Sequence, residues 1–292
     1  MTPTARSRPV KIAAVVSDVD GTLVTPDKVL TARTAAAVAE LHARGIIFSI
    51  ISSRPPRGLR VLIEALEIMA PVGGFNGGVI ATPDLSTISE HLVPAPTACR
   101  AADMLAASGA QCWVFAGQDW LVRDADGPYT GLEEHTVGFG PTVVEDFGAA
   151  LDVAGKIVGV SVDFARLARC ELDMSAALAG QAAVARSQPY YLDITHPLAN
   201  KGVALLELAK LMSVPAAEIA VIGDGGNDIA MFEQSGLSIA MGNASADVKR
   251  AADFVTDSNR EEGFASAIER FILGDGRLNA PVETAQIGDP AW

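Results

Sequence analysis

Residues Ile12–Ser17 read Ile-Ala-Ala-Val-Val-Ser, a short apolar run that stops at the carboxylate of Asp18. A run of this kind predicts a strand buried on both faces, as in a parallel sheet. Thr31 is placed to cap a helix running to Arg44, with Gly45 as its stop. A second apolar run, Ile46–Ile51, ends at Ser52-Ser53-Arg54, and Pro55-Pro56 then open a helix carrying Leu59, Leu62, Ile63 and Leu66. The same rhythm returns late in the chain. Lys201–Met212 reads as a helix, Ile219–Ile222 as a strand ending in Gly223-Asp224, and Asn227–Gln234 as a short helix. Leu237–Met241 and Phe254–Thr256 read as strands, and Ala244–Ala251 and Glu261–Leu273 as helices. Strand alternating with helix predicts βαβ units and a parallel sheet.

Between these halves the pattern changes. Strands are expected near Ile88–Val93, Cys112–Phe115, Lys156–Asp163 and Ala182–Arg186, with helices near Thr97–Ser108 and Ala165–Leu178. The predicted fold is α/β: a Rossmann-like, doubly wound parallel-sheet core made of residues 1–82 and 191–274, interrupted by an α+β cap at 83–190. The polar segment 275–292, with Gly276, Pro281, Gly288 and Pro290, is expected to be a loosely held tail.

Composition narrows the function classes. Hydrophobic residues make up 49% of the 292-residue chain, sufficient for a core without disulfides. No stretch reaches the roughly 18 apolar residues of a membrane span, and the first apolar run is too short for a signal peptide, so a cytoplasmic protein is expected. Cys99, Cys112 and Cys170 form neither a paired framework nor a zinc motif. A net charge of −13 opposes nucleic-acid binding, which rests on phosphate neutralisation by Lys and Arg. It leaves room for a small phosphorylated metabolite beside a bound cation.

The candidate chemistry lies at strand ends and helix starts, where ligands bind in open α/β sheets. Asp18-Val19-Asp20-Gly21-Thr22 places two carboxylates at the first strand end, where double ionisation is disfavoured unless a cation intervenes. An Asp-Gly turn is the ordinary alternative. Asp224, in Gly223-Asp224-Gly225-Gly226-Asn227-Asp228, ends a second apolar strand, and a hard divalent cation shared with Asp18 would relieve the cost of burying it. Asn227 and Asp228 could equally cap a helix, Lys201 could be a surface lysine, and Ser52 a helix cap. Either Ser52 or Ser53 could donate to a phosphate oxygen.

Taken in this order, the motifs resemble those of the haloacid dehalogenase superfamily of phosphotransferases. Asp18-Val19-Asp20-Gly21-Thr22 is similar to its first motif, Ser52 to its second, Lys201 to its third, and Asp224 with Asp228 to its acidic fourth. The insertion looks like the α/β cap of the Cof-type subgroup, as do Phe75-Asn76-Gly77-Gly78, Met241-Gly242-Asn243-Ala244 and Thr256-Asp257-Ser258-Asn259. Two departures stand out: Ser53 replaces a usual glycine, and Gly226 a usual larger residue.

The resemblance implies a Mg²⁺-dependent phosphomonoester hydrolase, monomeric or homodimeric, acting on small metabolites with sugar phosphates leading. Asp18 would be the nucleophile that becomes phosphorylated, Asp20 the general acid and base, and Lys201 the balancing charge. Ser52, Ser53, Asn76 and Asn227 would hold phosphate. Asp18, Asp224 and the Asp20 carbonyl would hold metal, with Asp228 either a ligand or a support for one. Trp113, Trp120, Arg123 and the His196 loop are candidates for the cap's substrate face. A sugar phosphomutase and a non-catalytic sensor of phosphorylated metabolites are the alternatives.

Overall fold

A computed structural model describes residues 11–274. The expected tail, 275–292, lies outside them.

Strand β1 (Ala14–Ser17) is fully buried, and its side chains alternate between two cores. Val15 points into one with Val38 and Leu41 of α1 (Ala32–Ala43), and Ala14 and Val16 into the other. The Thr31 hydroxyl caps α1 by accepting the Thr34 amide at 3.1 Å, and the helix closes at Arg44 before Gly45. Strand β2 (Ile47–Ile50) pairs in parallel with β1. Pro56–Leu59 forms a 3₁₀ turn rather than the expected α-helical start, and α2 (Arg60–Ala65) follows. Three short strands then form an antiparallel sheet, of which only the last overlaps an expected strand: β3 (Val72–Gly74), β4 (Val79–Ala81) and β5 (Thr87–Glu90). Two of the three have only three residues, too few to display a period.

Helix α3 (Ala95–Ser108) opens the inserted unit. It is followed by β6 (Gln111–Ala116), β7 (Asp119–Val122), α4 (Thr130–Val137), β8 (Thr142–Val143), β9 (Ala154–Val160), α5 (Phe164–Ala177), β10 (Ala183–Gln188) and β11 (Tyr191–Thr195). The strands form one sheet in the order β10-β11-β9-β6-β7-β8. This corrects the expected boundaries. Residues 191–195 do not return to the core: β11 lies between β10 and β9, hydrogen-bonded to both. At the other end, Thr87–Glu90 pairs with β4 and not with the inserted sheet. The crossings between the two units therefore fall near His91 and His196, whose rings stack at 5.3 Å between centroids.

Leu105, Leu167 and Met174 of α3 and α5 pack on one face of this sheet, against Val114, Ile157 and Leu192. The opposite face presents Trp113, Phe115, Val158 and Tyr191, and meets Phe75 of the core, whose ring centroid is 5.8 Å from that of Phe115. Gly155 permits this contact, since a Cβ there would sit 2.9 Å from Phe75. By strand alternation, Lys156 shares that face with Val158, and Asp193 with Tyr191.

The chain re-enters the core as α6 (Lys201–Met212), matching expectation end to end. The remainder is β12 (Ile219–Gly223), α7 (Ile229–Gln234), β13 (Leu237–Ala240), α8 (Ala246–Ala251), β14 (Phe254–Val255) and α9 (Gly263–Ala267), the last continued by a wide turn over Ile268–Ile272 in place of one regular helix. The core sheet has the order β14-β13-β12-β1-β2, parallel throughout. Helices cover both faces, so β1 and β12 are central and their carboxyl ends lie side by side.

Candidate active site

Because β1 and β12 pair in parallel, Asp18 and Asp224 emerge at adjacent strand ends. Asp18 is buried. Gly21 turns the chain back with φ +89°, and a Cβ there would collide with the Asp224 carboxylate. Asp224 accepts from the Thr22 hydroxyl at 3.2 Å and from the Asn243 amide at 3.0 Å.

Lys201 occupies the first turn of α6, a position that the helix dipole disfavours for a cation. Its partners resolve the conflict. The ammonium, wholly buried, donates to Oδ1 of Asp18 and, at 2.6 Å, to Oδ1 of Asp228. Asn200 holds the helix start, its Oδ1 accepting the amides of Gly202 and Val203 at 2.8 and 3.3 Å. The other oxygen of Asp228 accepts the backbone amides of Asp224 and Gly225 at 2.9 and 2.7 Å. Asp228 thus both ties down the loop that carries Asp224 and anchors Lys201.

Carboxylate oxygens of Asp18, Asp224 and Asp228 lie within 4.8 Å of one another. Burial, followed by the charges of Asp228 and Asp224, pushes the Asp18 pKa well up despite Lys201. Burial and then Asp228 raise Asp224 to about 6. Burial pulls Lys201 down, but Asp18 and Asp228 more than offset it and its pKa rises. One ammonium therefore faces three carboxylates, and two of them carry a charge penalty. An all-oxygen set with surplus negative charge suits a hard divalent cation.

Asp20 stands apart from this group. Its carboxylate receives two hydrogen bonds of 2.7 Å from the Arg54 guanidinium and one of 2.7 Å from Lys28. Burial would raise its pKa, but the Arg54 and Lys28 contacts prevail and lower it to about 2. Its side chain is therefore not among the three clustered carboxylates.

The remaining expected residues also gather here. Ser52 is fully buried at the end of β2, its Oγ accepting the Arg54 amide at 3.1 Å and its carbonyl accepting the Asn76 amide at 2.7 Å. Ser53 is half-buried beside it. Asn76 takes a left-handed conformation, φ 59°, and its Oδ1 accepts from the Asn227 side chain at 2.9 Å. Sequence reasoning gave no role to Arg54, Lys28, Thr22 or Asn243. The first was legible as the last residue of Ser52-Ser53-Arg54; Lys28 carries no local signal. Among the cap candidates, Trp113 and Trp120 are core side chains, and Arg123 lies over Phe147 at 5.3 Å.

Residues 15–268 match the family of haloacid dehalogenase-like hydrolases. The chain belongs to this family. A 5-amino-6-(5-phospho-D-ribitylamino)uracil phosphatase of Bacillus subtilis is 28% identical over 284 residues, an alignment that spans 88% of this chain and 97% of the relative. A solved haloacid dehalogenase-like hydrolase from Bacteroides thetaiotaomicron superposes with a TM-score of 0.82 at 28% identity, covering 89% of this chain and 99% of that one. A subclass IIB sugar phosphatase shares the fold at a TM-score of 0.78 and 23% identity, over 88% of this chain and 98% of that one. The chain is thus a haloacid dehalogenase-like enzyme of the phosphatase type, with a capped α/β fold.

Proposed function

We propose that this haloacid dehalogenase-like hydrolase is a Mg²⁺-dependent phosphatase of small phosphorylated metabolites, sugar phosphates among them, that works through a phosphorylated Asp18. The observation that carries the reading is the buried contact of Lys201 with Asp18, set beside Asp224 and Asp228.

Asp18 and Asp224, with the backbone carbonyl of Asp20, would hold the cation, whose charge lets an anionic nucleophile approach a phosphate dianion. Asp228 has both oxygens engaged, so its part is to hold Lys201 and the Asp224 loop. The Asp18 carboxylate attacks phosphorus in line, a P–O bond forms, and the bond to the leaving oxygen breaks. Lys201 balances the charge on the attacked group. Ser52, Ser53, Asn76 and Asn227 supply donors to the phosphoryl oxygens. Asp20 gives a proton to the leaving oxygen and then takes one from the water that cleaves the acyl phosphate. A group held near pKa 2 by Arg54 and Lys28 is a carboxylate at neutral pH. Its acid role requires substrate entry to loosen those contacts and raise its pKa.

Phosphate release from a panel of phosphorylated sugars, with and without Mg²⁺, tests the reading. Turnover that vanishes in folded Asp18→Asn supports it. Full activity in that variant, or equal rates after rigorous metal removal, would overturn it.

A further inference from the structure

The face that the inserted sheet turns toward the core is apolar at Trp113, Phe115 and Val158, but polar at Lys156 and Asp193. Both polar residues are more than nine-tenths buried, and Lys156 Nζ lies 3.0 Å from Asp193 Oδ2. The second oxygen, Oδ1, is buried with no hydrogen-bond partner among the described residues. A buried carboxylate oxygen without a donor is costly and rare in native proteins.

Helix α4 brings a second carboxylate to the same place. Glu133 lies on α4, half-buried, and feels the charges of Lys156 and Asp193 in the cap and of Asp20 and Arg54 in the core. Helix α4 bridges the two units: Val137, four residues beyond Glu133, clusters with Trp113 and Phe115 of the cap sheet and lies against Gly58 of the core. Burial, followed by Asp193 and Asp20, leaves the Glu133 carboxyl harder to ionise, against the pull of Lys156 and Arg54. Thr130, one helical turn earlier on the same side of α4, has a buried hydroxyl that also lacks a partner among the described residues. The cap thus offers two carboxylates for one lysine, together with unfilled hydrogen-bonding capacity.

We propose that Glu133 and Asp193 form a subsite for the leaving group of the substrate, and that this subsite favours a leaving group bearing a primary ammonium. An ammonium supplies the missing donors and offsets the surplus negative charge; a hydroxyl supplies donors only. The inference rests on the phosphatase reading for its biological meaning, but binding tests it separately.

Two matched pairs of probes differ only in this feature: glucosamine 6-phosphate against glucose 6-phosphate, and 2-aminoethyl phosphate against 2-hydroxyethyl phosphate. Binding is measured by calorimetry to Asp18→Asn protein in the presence of Mg²⁺, and phosphate release with the wild type. The expected result is a preference for the amine of about tenfold in at least one pair, the size of one charge-assisted contact. Glu133→Gln and Asp193→Asn should each shrink that preference, weakening the amine at least about threefold more than its neutral partner. Equal binding within both pairs, or a preference unchanged in both variants, overturns the subsite. Phosphate release from neither member, with the amine preference intact in binding, instead overturns the phosphatase reading and leaves the subsite standing.

Discussion

Arg54 grips Asp20 through two hydrogen bonds of 2.7 Å, one to each carboxylate oxygen. The pair joins the end of β1 to the end of β2, and Lys28 adds a third contact at 2.7 Å. The arrangement sets the orientation of Asp20 and also its charge.

Stability at low pH should report this pair. The folded-state pKa of Asp20, about 2, lies below its ordinary value of 3.8, so ionised Asp20 favours the folded state. That contribution is full above about pH 4 and is lost as pH falls toward 2; its size is roughly 2 kcal/mol. Urea unfolding of wild type and Asp20→Asn across this range should show a gap that is widest above pH ~4 and narrows in acid. A gap independent of pH would mean that the Asp20 charge does not matter to folding.

Lys201 has a structural as well as a chemical part. In Lys201→Met, the carboxylates of Asp18 and Asp228 lose their shared counter-charge in a buried setting. Removing one partner of such a buried ion pair costs on the order of 3–5 kcal/mol. The variant should unfold at markedly lower urea and release no phosphate, and Mg²⁺ should restore part of its stability but not its turnover.

Metal should be visible without any reaction. A ligand that binds only the folded state at a hundred times its Kd stabilises by about 2.7 kcal/mol. The Tm of the wild type should therefore rise with added Mg²⁺. Asp224→Asn removes one of the three mutually repelling carboxylates, so its metal-free Tm should exceed that of the wild type and its response to Mg²⁺ should be lost. An unchanged Mg²⁺ response in that variant would remove Asp224 from the metal set.

Thiol reactivity should divide the cysteines. Burial pushes the Cys112 thiol up to about 12, whereas Cys99 is exposed. The thiolate is the reactive form, so Cys112 stays inert at neutral pH. Brief iodoacetamide treatment at pH 8, read by peptide mass spectrometry, should label Cys99 and leave Cys112 unmodified until the protein is unfolded.

Much of the core was legible because its signals are local. The apolar runs before Asp18, Ser52 and Asp224 predict buried strands, and a strand's last residue is where its chemistry must lie. The helix over Lys201–Met212 shows its period within its own twelve residues. Thr31 and Asn200 announce the helices that they cap. The inserted unit was less legible. Strand β11 follows β10 after only two residues, and nothing local marks residues 191–195 as part of the inserted sheet; the pairing with β9 is a contact across more than thirty residues.

By itself, then, the sequence determined which residues end the strands and begin the helices, and hence that Asp18, Asp224 and Lys201 belong to one crevice. Only the tertiary structure decided what each carboxylate faces. Asp228 is committed to Lys201 and two backbone amides, Asp20 to Arg54 and Lys28, and Asp193 keeps one oxygen without a donor among the described residues. Local preferences act over a few residues, whereas the charge and burial of a side chain are set by neighbours that the chain brings back from far along its length. The Lys201 partner Asp18 lies 183 residues away, and no local pattern records that distance.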